Sequence, residues 1–321
     1  MQYRRFGRTG VDASEIGHGL WGMGGWSGSD DRASLKALQL SLDLGCTFFD
    51  TAWAYGDGRS DGLLGQLIAA NPGRRIVTAS KVPPKNRKWP ASGKDALKDV
   101  FPRDYVFQMA EQIRKALGTE TIDLLQLHVW HDAWAADESW IRTAEDLRKE
   151  GLIRWFGISL NRWESSNGIA ALRTSAVDAV QVIYNIFDQT PQRNLFPLCR
   201  ERNIGVLARV PLDEGALTGA ITEDTQFVKG EFRSFYFRGD RKREVARRVA
   251  ALRRDLEGVP GTLAEIALRF CLSQDAVSSV IPGMRHVQNA ESSCSISDRG
   301  PLAEEVLKVV ERHVWDKNFY D

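Results

Sequence analysis

Short runs of β-branched or aromatic residues alternate with amphipathic helical stretches along almost the whole chain, a repeat of about eight units. A strand followed by a helix returns the next strand parallel to the first, and eight such units close on themselves. The pattern therefore predicts an α/β fold, a (β/α)8 TIM barrel. The strands are expected at residues 17–22, 47–51, 75–81, 123–129, 153–159, 179–184, 205–210 and 278–282.

Helical periodicity falls at residues 31–44, 102–117, 137–150 and 191–202, and Gly45, Gly118 and Gly151 stand just past three of these stretches as stops. Two further helical stretches, 243–256 and 301–313, are surplus to the repeat and are expected as extra C-terminal helices outside the barrel. Residues 2–6 and 11–16, joined by Gly7-Arg8-Thr9-Gly10, read as an N-terminal hairpin that plugs the barrel bottom. No Pro/Gly/Ser-rich linker divides the chain, so a single domain over 1–321 is expected. The longest irregular stretches, 83–101, 130–137 and 223–243, follow strands. In a barrel they lie on the C-terminal rim, where active sites are built.

Forty-three Lys and Arg against forty-two Asp and Glu leave a net charge of +1, no field to recruit nucleic acid or an anionic membrane. A small-molecule partner is expected instead, with the protein a monomer or weak homo-oligomer. No apolar run approaches the ~18–20 residues of a membrane span, and the first residues lack a signal peptide's apolar core, so a cytoplasmic location is expected. The four cysteines show no C-x-x-C spacing and read as reduced structural thiols. The five histidines form no H-x-H or H-E-x-x-H pair, which speaks against a metal-dependent barrel hydrolase and predicts no metal site.

Four polar residues, Asp50, Tyr55, Lys81 and His128, stand at or just beyond the ends of three consecutive predicted strands, each after apolar residues. A barrel brings them to one mouth. Reducing a carbonyl needs a proton donor for the oxygen that gains charge as hydride arrives, and a phenol with a pKa of ~10 is poorly matched to neutral pH. An adjacent ammonium stabilises the phenolate. Tyr55 is thus the expected donor, Lys81 its tuning cation, Asp50 the counter-ion of Lys81, and His128 the group that orients the carbonyl.

With these residues in place, the sequence resembles the aldo-keto reductase family over nearly its whole length. The resemblance rests on Phe49-Asp50-Thr51-Ala52 through Tyr55-Gly56, Lys81, Leu124 to His128, Gly157-Ile158-Ser159, Val180-Gln181, Tyr184-Asn185 and Ile281-Pro282-Gly283. It implies a cofactor, NADPH with NADH as the alternative, lying across the barrel mouth without a Rossmann fingerprint. Gly17-x-Gly19-x-x-Gly22 matches one by count but opens no helix. By the resemblance, Ser159 and Gln181 hold the nicotinamide carboxamide, and Asn161 substitutes for an asparagine whose place Leu160 takes. Arg209 stands where relatives stack an aromatic on the ring. Leu212, Gly215 and Leu217 fall in the pyrophosphate-covering loop, and Gly283, Arg285 and Asn289 in the segment that meets the 2′-phosphate.

Trp26, Trp53 and Trp130, together with Trp21 on the cofactor side, are expected to wall the substrate pocket. Trp89, Trp140 and Trp163 read as structural. Two rival readings share the scaffold: an NAD(P)-dependent sugar or secondary-alcohol dehydrogenase, and a slowly turning regulatory subunit resembling potassium-channel β subunits.

Overall fold

The computed structural model describes residues 1–26, 28–161 and 164–320. The hairpin is β1 (Tyr3–Arg5) against β2 (Asp12–Ser14), antiparallel, with a 3-10 turn at Gly7–Thr9. Eight parallel strands follow: β3 (His18–Gly19), β4 (Phe48–Asp50), β5 (Val77–Val82), β6 (Ile122–Leu127), β7 (Ile153–Ser159), β8 (Ala179–Ile183), β9 (Gly205–Arg209) and β10 (Ser279–Val280). Their order in the sheet is the order in the sequence. Parallel bridges Ile16–Val280 and Gly19–Gly283 join the first strand to the last, and the Gly17 amide reaches the Val280 carbonyl at 2.8 Å. The barrel is closed.

Each strand alternates between interior and exterior, so the side chains two residues apart line the barrel axis. Phe48, Val77, Ala79, Leu124, Ala179, Leu207 and Ile281 form an inner apolar cluster, and Phe6 from the hairpin enters it from below, 5.2 Å from the Phe48 ring. The hairpin is the plug that the sequence implied. The second residue after several of these apolar positions is polar or charged: Asp50 after Phe48, Lys81 after Ala79, Gln126 after Leu124, Gln181 after Ala179, Arg209 after Leu207.

The outer helices bury one stripe each. In Arg103–Leu117 the buried residues are Val106, Met109, Ala110, Ile113 and Leu117, a spacing of three and four, and Gly118 ends the helix at φ 64°. Full burial of such a side chain contributes about 2 kcal/mol before entropy is counted. The surplus helices are present as Arg241–Asp255 and Glu304–Glu311. The stretches read as irregular contain short helices, Leu97–Val100 and Phe232–Tyr236, each only about a turn long and too brief to show periodicity. No helix among the described residues is long and apolar enough to cross a membrane. All four cysteines are buried and unbonded to one another, and burial pushes the Cys46 and Cys199 thiols up to about 12.

Candidate active site

At the C-terminal end of the strands, Lys81 Nζ donates to Asp50 Oδ2 at 2.7 Å and to the Thr51 carbonyl at 2.8 Å, and lies 3.5 Å from the Tyr55 hydroxyl. The ammonium is fully buried. Gln181 Nε2 fixes the other Asp50 oxygen at 2.8 Å. The Tyr55 ring meets the His128 imidazole edge-on, centroids 5.6 Å apart. Tyr55 reaches this place because the chain turns after β4, its amide returning to the Ala52 carbonyl at 2.9 Å. Gly24 presses on that turn: a Cβ there would fall 2.6 Å from the Tyr55 backbone, so no larger residue fits without moving the phenol.

Burial raises the Tyr55 pKa above 10, and the Lys81 charge opposes that rise without cancelling it. Desolvation, which a strand-end position does not reveal, outweighs the ammonium. At neutral pH Tyr55 is therefore a phenol, with its proton to give. Burial pulls Lys81 down, but Asp50 and Tyr55 beside it prevail and hold it above its ordinary value. Burial first, then the Lys81 and Arg209 charges, keeps His128 well below its ordinary value and neutral.

Two connected lobes open over these residues. The larger, about 600 Å³, is lined by Tyr55, His128, Ser159, Asn161, Gln181 and Arg209, with aromatic walls. The smaller, about 330 Å³, includes Leu212, Gly215, Gly283, Arg285 and Asn289. Trp21, Tyr55, Gln181 and Arg209 border both. The smaller lobe carries Arg285 and Arg233, the latter paired with Glu231, beside Asp50 and Glu214, and its glycines leave room for a long ligand. At Gly283 an added Cβ would meet nothing within 4 Å.

The aldo/keto reductase family profile matches residues 15–314. The chain belongs to the aldo/keto reductase family. Among its relatives, the aldo-keto reductase YhdN of Bacillus subtilis is 28% identical, covering 92% of this chain and 89% of that one. A probable voltage-gated potassium channel subunit beta of Arabidopsis thaliana is 27% identical over 96% of this chain and 94% of its own. The solved glycerol dehydrogenase of Gluconobacter oxydans superposes with a TM-score of 0.79 at 26% identity, covering 98% and 97% of the two chains.

Within this aldo/keto reductase, four expected residues lie elsewhere. The Trp53 ring packs against Gly58, whose added Cβ would fall 2.7 Å from it, and lines neither lobe. Trp130 is fully buried between Trp134 and Trp140, at 5.9 and 5.1 Å, with Nε1 donating to Asp132 at 2.9 Å. Leu217 is buried, and its amide already donates to the Leu212 carbonyl at 3.1 Å, so it offers nothing to a phosphate. Trp26 lines the smaller lobe, stacked edge-on to Trp21 at 4.8 Å, and is absent from the substrate-sized lobe. Both ends of the Asn161 amide are engaged with Ala91, at 3.2 and 3.3 Å, although the residue does line the larger lobe. Trp163 lies outside the described residues, and Trp140 is a core residue.

Several lining residues were not anticipated. Trp89, read as structural, stands edge-on over His128 at 4.6 Å and walls the larger lobe. Phe232, Phe235 and Tyr320 join it. Trp89 lies in the long rim stretch that follows β5, a position that could have marked it for the mouth; nothing local marks Tyr320, which comes from near residue 321. Its hydroxyl donates to Glu214 at 3.0 Å, and Lys317 Nζ donates to Asp213 at 2.5 Å and to the Tyr236 hydroxyl at 3.1 Å. These contacts hold the loop after β9.

Behind Lys81, in the first turn of helix Arg59–Ala70, Asp61 is buried, accepts from Ser80 Oγ at 2.6 Å, and has no partner at Oδ2. Burial lifts its pKa from 3.8 to about 7, against the opposing Ser80 bond. A raised folded-state value means that its stabilising contribution is full below about pH 4 and lost as pH rises through about 7. Asp61→Asn should therefore gain stability relative to the native protein between pH 5 and pH 8, by on the order of 2 kcal/mol. Denaturant unfolding at the two pH values measures it. A difference independent of pH would show that Asp61 does not titrate in this range.

Proposed function

We propose that the chain reduces an aldehyde or ketone to an alcohol with NADPH, or NADH as the alternative, and that Tyr55 donates the proton. The observation that carries this is the Lys81–Tyr55 approach of 3.5 Å on the floor of a lobe sized for a small molecule. Residues of the smaller lobe, Leu212, Gly215, Gly283, Arg285 and Asn289, together with Ser159, Asn161 and Gln181 would hold a nicotinamide dinucleotide, which when bound would supply the hydride. As the carbonyl π pair moves to oxygen, that oxygen takes the Tyr55 proton, and the phenolate left behind is stabilised by the anchored ammonium. Asp50, held by Gln181, keeps Lys81 in place. Neutral His128 donates one hydrogen bond to the carbonyl oxygen without competing for the proton. The aromatic walls exclude water from the reacting atoms.

The test is steady-state reduction of an aldehyde, ketone and sugar panel, followed by reduced-nicotinamide absorbance with each cofactor. The phenol form of Tyr55 serves reduction and the phenolate serves alcohol oxidation. Reduction should hold level through neutral pH and fall only above the ordinary phenol range, while oxidation climbs as pH rises. Parallel profiles for the two directions would count against Tyr55. The glycerol dehydrogenase relative favours a second reading, alcohol oxidation by the same residues run backwards; the direction panel separates the two. Rapid turnover by the isolated chain would exclude a purely regulatory role like that named for the potassium-channel relative.

A further inference from the structure

The stretch that follows β9 holds backbone that its residues disfavour. Val210, Asp213 and Glu214 have φ of 55°, 48° and 56°, in the left-handed region, and Val210 is β-branched. Such backbone persists only where its surroundings over-determine it. Here the restraints come from other parts of the chain. Asn185 Nδ2 donates to the Val210 carbonyl at 3.0 Å, Lys317 and Tyr236 hold the Asp213 carboxylate, and the Tyr320 hydroxyl holds Glu214, which also lies in the field of Arg209. Lys317 and Tyr320 belong to one short segment, which is itself pinned. The Trp315 amide donates to the Phe187 carbonyl at 3.0 Å, and Arg241 donates to the Phe319 carbonyl at 2.6 Å.

Lys317 is costly to bury. Its ammonium lies among the rings of Phe187, Tyr236, Trp315 and Phe319, 4.5–5.6 Å from their centroids, with Asp213 as its carboxylate at 2.5 Å. A buried ion pair adds little stability over apolar side chains of similar volume, but it fixes a geometry. What it fixes here is a wall. Val210, Pro211, Leu212, Glu214 and Gly215 all line the smaller lobe, whereas Asp213, between them, does not. Lys317 therefore acts on that lobe through the backbone. We propose that Lys317 is a positioning residue for the cofactor: its bond to Asp213 keeps residues 210–215 in the shape that receives the dinucleotide, and bound dinucleotide in turn holds segment 315–320 in its dock. This rests on the reading that the smaller lobe takes a nicotinamide dinucleotide, and adds a control from outside that lobe.

Native protein, Lys317→Met and Asp213→Asn/Lys317→Met are compared by fluorescence titration with NADPH and with NADH, under conditions where denaturant unfolding shows each fully folded. Cofactor Kd should rise about ten- to a hundredfold in Lys317→Met. The double variant removes the stranded Asp213 charge, so it should recover stability and still bind at least about fivefold more weakly than native protein. Should Lys317→Met fail to fold, the double variant decides by the same criterion. The reciprocal effect is read without turnover. Chymotrypsin cleavage within segment 315–320, followed by mass, should slow about tenfold at saturating cofactor in native protein and by less than about threefold in Lys317→Met. An unchanged Kd in both variants overturns the proposal, as does cofactor that binds without slowing the cleavage. Native affinity regained in the double variant overturns it too, since the stranded charge alone would then have been at fault. If native protein binds neither cofactor, the dinucleotide reading itself fails and the proposal falls with it.

Discussion

Tyr55→Phe is expected to lower kcat for carbonyl reduction by about 10²–10⁴-fold while leaving cofactor Kd within about threefold. The substitution removes one oxygen and keeps the ring that packs edge-on to His128 and borders both lobes. The fold and the cofactor groove should therefore survive. What disappears is the proton at the place where the carbonyl oxygen becomes basic, together with the phenolate that Lys81 stabilises from 3.5 Å. Single-turnover reduction beside a fluorescence titration separates the effects. A variant that turns over at near the native rate would take the donor role away from Tyr55; one that fails to bind cofactor would make the phenol a binding group.

Lys81→Met should cost both stability and rate. Asp50 would be left buried with only Gln181 as a described side-chain partner, and breaking such a pair from one side costs about 3–5 kcal/mol. The rate should fall by at least about a hundredfold, since the phenolate loses its cation. Stability and chemistry come apart in the double variant Asp50→Asn/Lys81→Met, which removes both charges. Denaturant unfolding should show most of the stability restored, and the rate should stay low. Recovery of the rate with the stability would mean that the pair serves the fold alone.

The strands were legible because the sequence writes their alternation plainly. β7 coincides with its predicted span at residues 153–159, and the others differ mainly at their ends. The four catalytic candidates were legible for the same reason, each tied to a strand end. Helices were less so. Arg59–Ala70 carries Gly62 and Gly65, which weaken a helical reading, and Gly65 is there because a Cβ would fall 2.4 Å from the Ala116 carbonyl of the neighbouring helix. Leu263–Leu272 had a capping box, Thr262 with Glu265, that went unused. Trp53, Trp130 and Trp89 were harder to place for a different reason. Position past a strand end places a Cα on the rim but leaves the ring free to turn inward, as at Trp130, or outward to the cavity, as at Trp89. Arg209 was placed at the mouth, but the contacts of the carboxylates that follow it, Asp213 with Lys317 and Glu214 with Tyr320, join distant parts of the chain.

The seam of the barrel sets a schedule for its birth. Residue 16 finds its bridge partner only at residue 280, and Gly19 only at Gly283. At a synthesis rate of ~5–20 residues per second, the nascent chain carries an open sheet edge on the ribosome for roughly 10–60 s. Unpaired edges recruit other strands, so this enzyme should be a client of chaperones that act on emerging polypeptides, and overexpression should strain that protection long before the finished protein reaches its solubility limit.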